Sequence, residues 1–221
     1  MAIYHFTVDL EMFGVVAPGT TVSGLWFWFA RLVAGSFLFL SGVSLCIAHG
    51  AGIRWPAFLR RLAVIAAAAG AFTLATMLAM PDAYVFFGIL HSIALCSVIG
   101  LAFLRAPLPL TLLAAGFALA APHYLRAAAF DAPYLAWLGL STSVPRSIDF
   151  EPIFPWLGPF LLGIAAARRA TSAGFIARLA GPAAQGWLRA LAWPGRHSLA
   201  IYLIHQPILF GSIWLAYRFL L

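Results

Sequence analysis

GLWFWFARLVAGSFLFLSGVSLCIA, residues 24–48, carries a single charge, Arg31. A helix rises 1.5 Å per residue, so ~20 apolar residues cross the ~30 Å hydrocarbon core of a bilayer, and this run is long enough to do so. Working outward, further apolar runs fall at residues 1–16, 59–80, 84–104, 107–121, 153–168 and 197–218, with Pro18-Gly19, Pro81-Asp82, Pro107 and Pro122 between them as helix breakers. The chain of 221 residues is 64% hydrophobic and 9% charged, with mean hydropathy +0.99, a balance that a soluble domain could not present to water. The expectation is an all-α fold, a polytopic membrane helix bundle of about seven transmembrane helices forming one domain over residues 1–221.

All 13 basic residues are Arg, and the formal charge of +7 on a soluble surface would point to nucleic acid. In a membrane bundle it reads instead as topology, and no nucleic-acid partner is expected. Arg54, Arg60 and Arg61 follow the second run, Arg105 the fourth, and Arg168, Arg169, Arg178, Arg189 and Arg196 the sixth. These alternate connections lie on one face, which the positive-inside rule makes cytoplasmic, with the N-terminus in and the C-terminus out. The long outer connection, residues 122–151, brings Tyr124, Tyr134 and Trp137 to the outer surface. In the inner one, residues 170–195, Phe175, Ile176, Leu179, Leu188 and Leu191 recur at helical spacing beside Arg178 and Arg189, the pattern of an interfacial amphipathic segment. Cys46 and Cys96 lie inside apolar runs as small hydrophobes, so neither a disulfide nor a metal site is expected. Residues 1–16 are short for a span and lack the basic start of a signal peptide; they read as a helix missing its beginning.

A charge in hydrocarbon costs several kcal/mol or so unless paired or hydrated, so each buried ionisable residue needs a reason. Helical rise places Asp9, Arg31 and His91 at a common depth of about 10 Å below the outer boundary, with His5 on the face of Asp9 and near the midplane. His205, beside Gln206 and Pro207, reaches the midplane from the inner side. Asp9 with Arg31 also fits a structural ion pair, and His91 or His205 a backbone-bonded histidine. His49, His123 and His197 sit at helix ends, where an interfacial role is the simpler reading.

Five stretches carry a resemblance: Met1-Ala2-Ile3-Tyr4-His5-Phe6 with Asp9-Leu10; Ala30-Arg31-Leu32 through Gly35-Ser36-Phe37-Leu38-Phe39-Leu40-Ser41-Gly42; Phe87-Gly88-Ile89-Leu90-His91; Asp149-Phe150 with Phe154-Pro155-Trp156-Leu157-Gly158 and Leu162-Gly163; and Gly195-Arg196-His197-Ser198-Leu199-Ala200-Ile201-Tyr202-Leu203-Ile204-His205-Gln206-Pro207. Together they resemble the bacterial branch of the heparan-alpha-glucosaminide N-acetyltransferase catalytic-domain family, over nearly the whole chain. The Asp-x-x-Arg-Gly-like stretch with which that family begins is absent here. The resemblance implies a membrane acyltransferase that takes an acyl group from acyl-CoA, acetyl-CoA above all, and passes it to a sugar or other amine or hydroxyl acceptor on the far side.

Such a transfer needs a base for the acceptor and a donor for the developing oxyanion. His5 and His91 are the candidate bases, with Asp9 to orient the first and Arg31 to hold an anionic acceptor group; direct transfer and an acyl-histidine both stay open. For the CoA phosphates the candidates on the Arg-rich inner face are Arg60, Arg61, Arg105, Arg168, Arg169 and Arg196, with Arg60, Arg61 and Arg196 put first and His205 assigned to the same binding role; positive-inside topology alone also accounts for these Arg. The expected partners are the lipid bilayer and a sugar or glycan acceptor, and a homodimer stays open; the location is the bacterial inner membrane. The alternatives are a proton-coupled transporter of a small solute, with His5, His91 and His205 as a relay, or a non-catalytic membrane protein.

Overall fold

The computed structural model describes residues 1–179 and 186–220. The stretch 180–185, part of the expected amphipathic segment, lies outside the described residues. The described residues form helices α1 (Ala2–Met12), α2 (Gly24–His49), α3 (Trp55–Ala79), α4 (Ile89–Gly100), α5 (Leu108–Tyr124), α6 (Ile153–Ser172), α7 (Phe175–Leu179), α8 (Trp187–Arg196) and α9 (Ser198–Leu220), joined by short 3-10 turns and loops. Three of these, α2, α3 and Ser198–Phe219 of α9, are long and apolar enough to cross a membrane, and Ile89–Phe103 and Leu108–Tyr124 are shorter apolar helices. This is an all-helical membrane protein.

The chain divides into two compact units, Met1–Val33 with Ala177–Leu221, and Ala34–Ile176. In the first, α1 packs along α9. His5 meets His205, Asp9 meets Gln206, and Phe13 meets Phe210 and Tyr217. The contacts advance in the same direction on both helices, so α1 and α9 run parallel. The first helix stops at Met12 rather than continuing to Val16. Gly14, at φ +73°, makes the left-handed turn that ends it, with Gly14 N–H on Glu11 O and Val15 N–H on Leu10 O closing the carbonyl end. The Glu11 carboxylate then accepts from Gly19 N–H, Thr21 N–H and Thr21 Oγ1 and folds the loop back toward α2.

In the second unit, α5 lies along α6, and α4 packs on both α3 and α6. Leu38, Leu45, Cys96, Ala115, Ala118, Phe160, Leu161 and Ile164 are fully shielded and form its core. The helix expected from residue 84 begins at Ile89, because 84–88 is held by residues of the α5–α6 connection. Ile148 N–H donates to Ala83 O and Glu151 N–H to Phe87 O, while Ile89 N–H donates to Asp149 Oδ2 at 3.1 Å. A carboxylate at a helix N-terminus satisfies an orphan N–H and suits the helix dipole. Pro122 lies inside α5 rather than after it. Both cysteines are free and buried.

Asp131 clasps the α5–α6 connection. Its Oδ1 accepts from Ser141 Oγ and Thr142 N–H, each at 2.7 Å, and its Oδ2 from Thr142 Oγ1 at 2.6 Å. These bonds, that from the Thr142 hydroxyl foremost, favour the charged form and hold the carboxyl below its usual value of 3.8. A depressed carboxylate contributes its stability above the unfolded value and loses it as pH falls through the folded one. Asp131→Asn is therefore expected to loosen residues 141–143 at neutral pH, whereas the parent loosens there only in acid well below pH 4 or so. Amide hydrogen exchange at Thr142, corrected for its intrinsic pH dependence, measures this.

Candidate functional site

The first unit holds a polar cluster on the seam between α1 and α9. His5 and Asp9 are i, i+4 on α1 and therefore share a face. The His5 and His205 rings stand edge to face, 5.1 Å apart. Asp9 has 0% exposure, and its Oδ1 accepts a 2.8 Å hydrogen bond from Gln206 Nε2. The Asp9 carboxylate is also within electrostatic reach of His205. Pro207, next in the chain, has no N–H to give the carbonyl of Leu203, which relaxes the helix beside these side chains.

The hydrogen bonds assign the protons. His205 Nδ1 lies 2.6 Å from Tyr202 O, and a carbonyl only accepts, so Nδ1 carries the hydrogen and Nε2 of the neutral ring keeps its lone pair. Gln206 gives its amide N–H to a carboxylate, so its Oε1 faces the other way. His205 Nε2, Gln206 Oε1 and Asp9 Oδ2 are all buried with no partner among the described residues. Each is an acceptor when Asp9 is ionised. Buried polar groups are ordinarily satisfied, so three orphaned acceptors on one seam call for a group that brings its own N–H or O–H.

His91 has the opposite arrangement. It belongs to the second unit, where Gly88 N–H donates to its Nδ1 at 3.2 Å, and its Nε2 lies 3.3 Å from Thr73 Oγ1. The Thr73 hydroxyl gives its own hydrogen to Val85 O at 2.6 Å, so it accepts from His91 Nε2–H. Both ring nitrogens are engaged, and the ring caps the start of α4. No room is left for a side chain at Gly88, where a Cβ would fall 2.2 Å from Asp149 Oδ2.

The expected ion pair between Asp9 and Arg31 is not formed. Arg31 is exposed, its guanidinium carbon 3.6 Å from the Phe27 ring centroid, and Asp9 takes Gln206 instead. The two charges share a unit but sit on different helices, and spacing along the chain says nothing of how those helices are rotated. Arg60 is exposed; Arg61 is half-buried with one N–H 3.4 Å from Ser41 Oγ. Arg196 is exposed and reaches Arg189 O, while Arg168 turns to the carbonyls of Phe103 and Ala106. Among the described residues no group of three or more His, Cys, Asp or Glu is gathered as for a metal ion. Gln206, noted in the sequence only as a neighbour of His205, is the site residue to which the sequence reading gave no role. Its signal was a polar side chain next to His205 in an otherwise apolar helix.

An all-helical membrane protein with an imidazole and a carboxylate buried between helices is the class that fold and site define. The chain belongs to the family of the heparan-alpha-glucosaminide N-acetyltransferase catalytic domain, a family of membrane acetyltransferases, whose profile matches residues 1–207. No curated protein and no solved structure matches the chain.

Proposed function

We propose that the protein is a multi-pass acyltransferase of the bacterial inner membrane, carrying an acetyl or related acyl group from acyl-CoA to an amine or hydroxyl of a sugar-like acceptor at the outer side. The observation that carries this reading beyond the family is the buried, unpartnered lone pair of His205 Nε2 beside Asp9 and His5. As the acceptor N or O attacks the thioester carbonyl, Nε2 takes its proton. The new C–N or C–O bond forms, the C–S bond breaks, and the proton leaves with CoA as its thiol. The Asp9 carboxylate steadies the imidazolium, and His5, edge-on to His205, stands in for it as a proton acceptor. The three unpartnered acceptors, His205 Nε2, Gln206 Oε1 and Asp9 Oδ2, support a substrate that arrives with hydrogens to donate. Arg31, with its open guanidinium, serves an anionic group on that acceptor, and Arg60 and Arg61 serve the CoA phosphates.

The test is thiol release from acetyl-CoA by detergent-purified protein, dependent on an added amino- or hydroxy-sugar. Uptake of a solute driven by a pH gradient, without CoA turnover, would replace this reading with proton-coupled transport.

The proposed topology has about seven spans, the N-terminus and the α6–α8 connection in the cytoplasm, and the outer connection facing out. Cysteine placed at Ala129 is expected to react with a membrane-impermeant thiol reagent added outside intact cells, and cysteine at Ala173 only after permeabilisation. Both positions are exposed and the native cysteines are buried, so background labelling is low. The reverse pattern moves the site to the other leaflet.

A further inference from the structure

Gln206 gives its amide N–H to Asp9 and makes no hydrogen bond to the His205 side chain, although His205 is its neighbour in the chain. We propose that Gln206 is a positioning residue, holding the Asp9 carboxylate by Oδ1 so that Oδ2 stays turned to the site where His205 works; this rests on the acyl-transfer reading above.

The geometry allows one orientation. Asp9 is fully shielded, and the only hydrogen bond to its carboxylate among the described residues comes from Gln206 Nε2 at 2.8 Å. A carboxylate accepts and does not donate, so the amide cannot flip without setting two oxygens against each other. His205 on α9 lies within electrostatic reach of both His5 and Asp9, and the Met1 amine within reach of His5; among the described residues no Arg is paired with the carboxylate. With no cation pairing Asp9, a neutral amide is the group that orients it. A hydrogen bond to the charged form favours that form, so removing the donor from a dry carboxylate both frees it to rotate and favours its protonation. Gln206 thereby acts on His205 through Asp9, without touching the reacting atoms.

The experiment compares the parent with Gln206→Met, which keeps the length and volume of the side chain and has no donor, and with Gln206→Asn, which keeps an amide one methylene short. Asp9 is probed directly by an apolar carbodiimide, which reacts with protonated carboxyls in apolar surroundings, with mass-spectrometric readout at neutral pH and Asp9→Asn as the blank. Expected is several-fold more adduct on Asp9 in Gln206→Met than in the parent, with Gln206→Asn between them. In turnover, kcat falls about tenfold in Gln206→Met with KM for acetyl-CoA unchanged, and adding Gln206→Met to Asp9→Asn costs nothing further, the non-additivity of residues acting as one unit. Equal labelling of parent and Gln206→Met overturns the proposal, whatever the turnover. So does a full further loss of kcat in the Asp9→Asn background. Increased labelling in a protein that transfers no acyl group leaves Gln206 as the residue that orients Asp9 and sinks the acyl-transfer reading instead.

Discussion

Replacing His205 by alanine is expected to lower acetyl-CoA turnover per folded molecule by roughly 10²–10⁴, the usual cost of losing a general base. His91→Ala is expected to keep turnover within a few-fold while lowering the yield of folded protein. The two imidazoles differ in what their lone pairs do. His91 Nδ1 is spent on Gly88 N–H and its Nε2–H on Thr73, so the ring holds the start of α4. His205 has one nitrogen on Tyr202 O and the other buried and open. Removing His91 strands a backbone N–H at a helix start, which costs about 1–3 kcal/mol. His5→Ala falls between, since His5 touches the His205 ring at its edge. The assay is thiol release normalised to monodisperse protein. Near-native turnover of His205→Ala, with an acceptor that the parent acylates, removes His205 from the mechanism; loss in His91→Ala alone transfers the role to the second unit.

Gly42→Ala and Gly163→Ala are each expected to destabilise the second unit by at least about 1–3 kcal/mol, the cost of forcing extra carbon into a packed interior. A Cβ at Gly42 would lie 2.0 Å from Phe160 O, and one at Gly163 2.0 Å from Phe39 O. The obstacles are backbone atoms of the facing helix, not side chains that could rotate aside. At these two glycines α2 and α6 pass backbone to backbone, the close approach that small residues allow in membrane bundles, where van der Waals contact drives association. The double variant is expected to cost less than the sum, because one separation of the helices relieves both clashes. Gly70→Ala and Gly116→Ala, where a Cβ meets nothing within 4 Å, are the controls and are expected to be neutral or slightly stabilising. Unfolding in mixed detergent, followed by the folded fraction, measures all five. Additive losses in the double variant would show that the glycines do not share one crossing.

The close crossing of α2 and α6 also accounts for part of the sequence resemblance. Gly42 and Gly163 stand in two of the stretches that carry it, far apart in the chain and without any chemistry of their own. Their reason is steric. Gly88 is similar, since a side chain there would strike Asp149. By contrast Asp9 and His5, from the first stretch, and His205, from the last, are brought to one seam by α1 and α9.

Helical membrane architecture was legible in the apolar runs themselves, because an apolar stretch of spanning length has few other stable homes and backbone polarity forces it into a helix. Most boundaries followed from proline and from charge. Gly14 carried the signal for the early end of α1, and its left-handed turn won over the apolar residues beyond it. The start of α4 had no local signal, because Asp149 and Glu151, about sixty residues on, hold the preceding segment extended. The i, i+4 spacing of His5 and Asp9 determined that they share a face. Which helix meets that face was beyond spacing: Asp9 took Gln206, 197 residues away, and left Arg31 to a ring on its own helix. Likewise the residue type admitted His91 and His205 equally as bases, and only their neighbours in space assigned the protons. Periodicity along one chain reports depth and face. Partner and tautomer depend on how helices are rotated against each other, and those are decided by packing between segments that the sequence keeps apart.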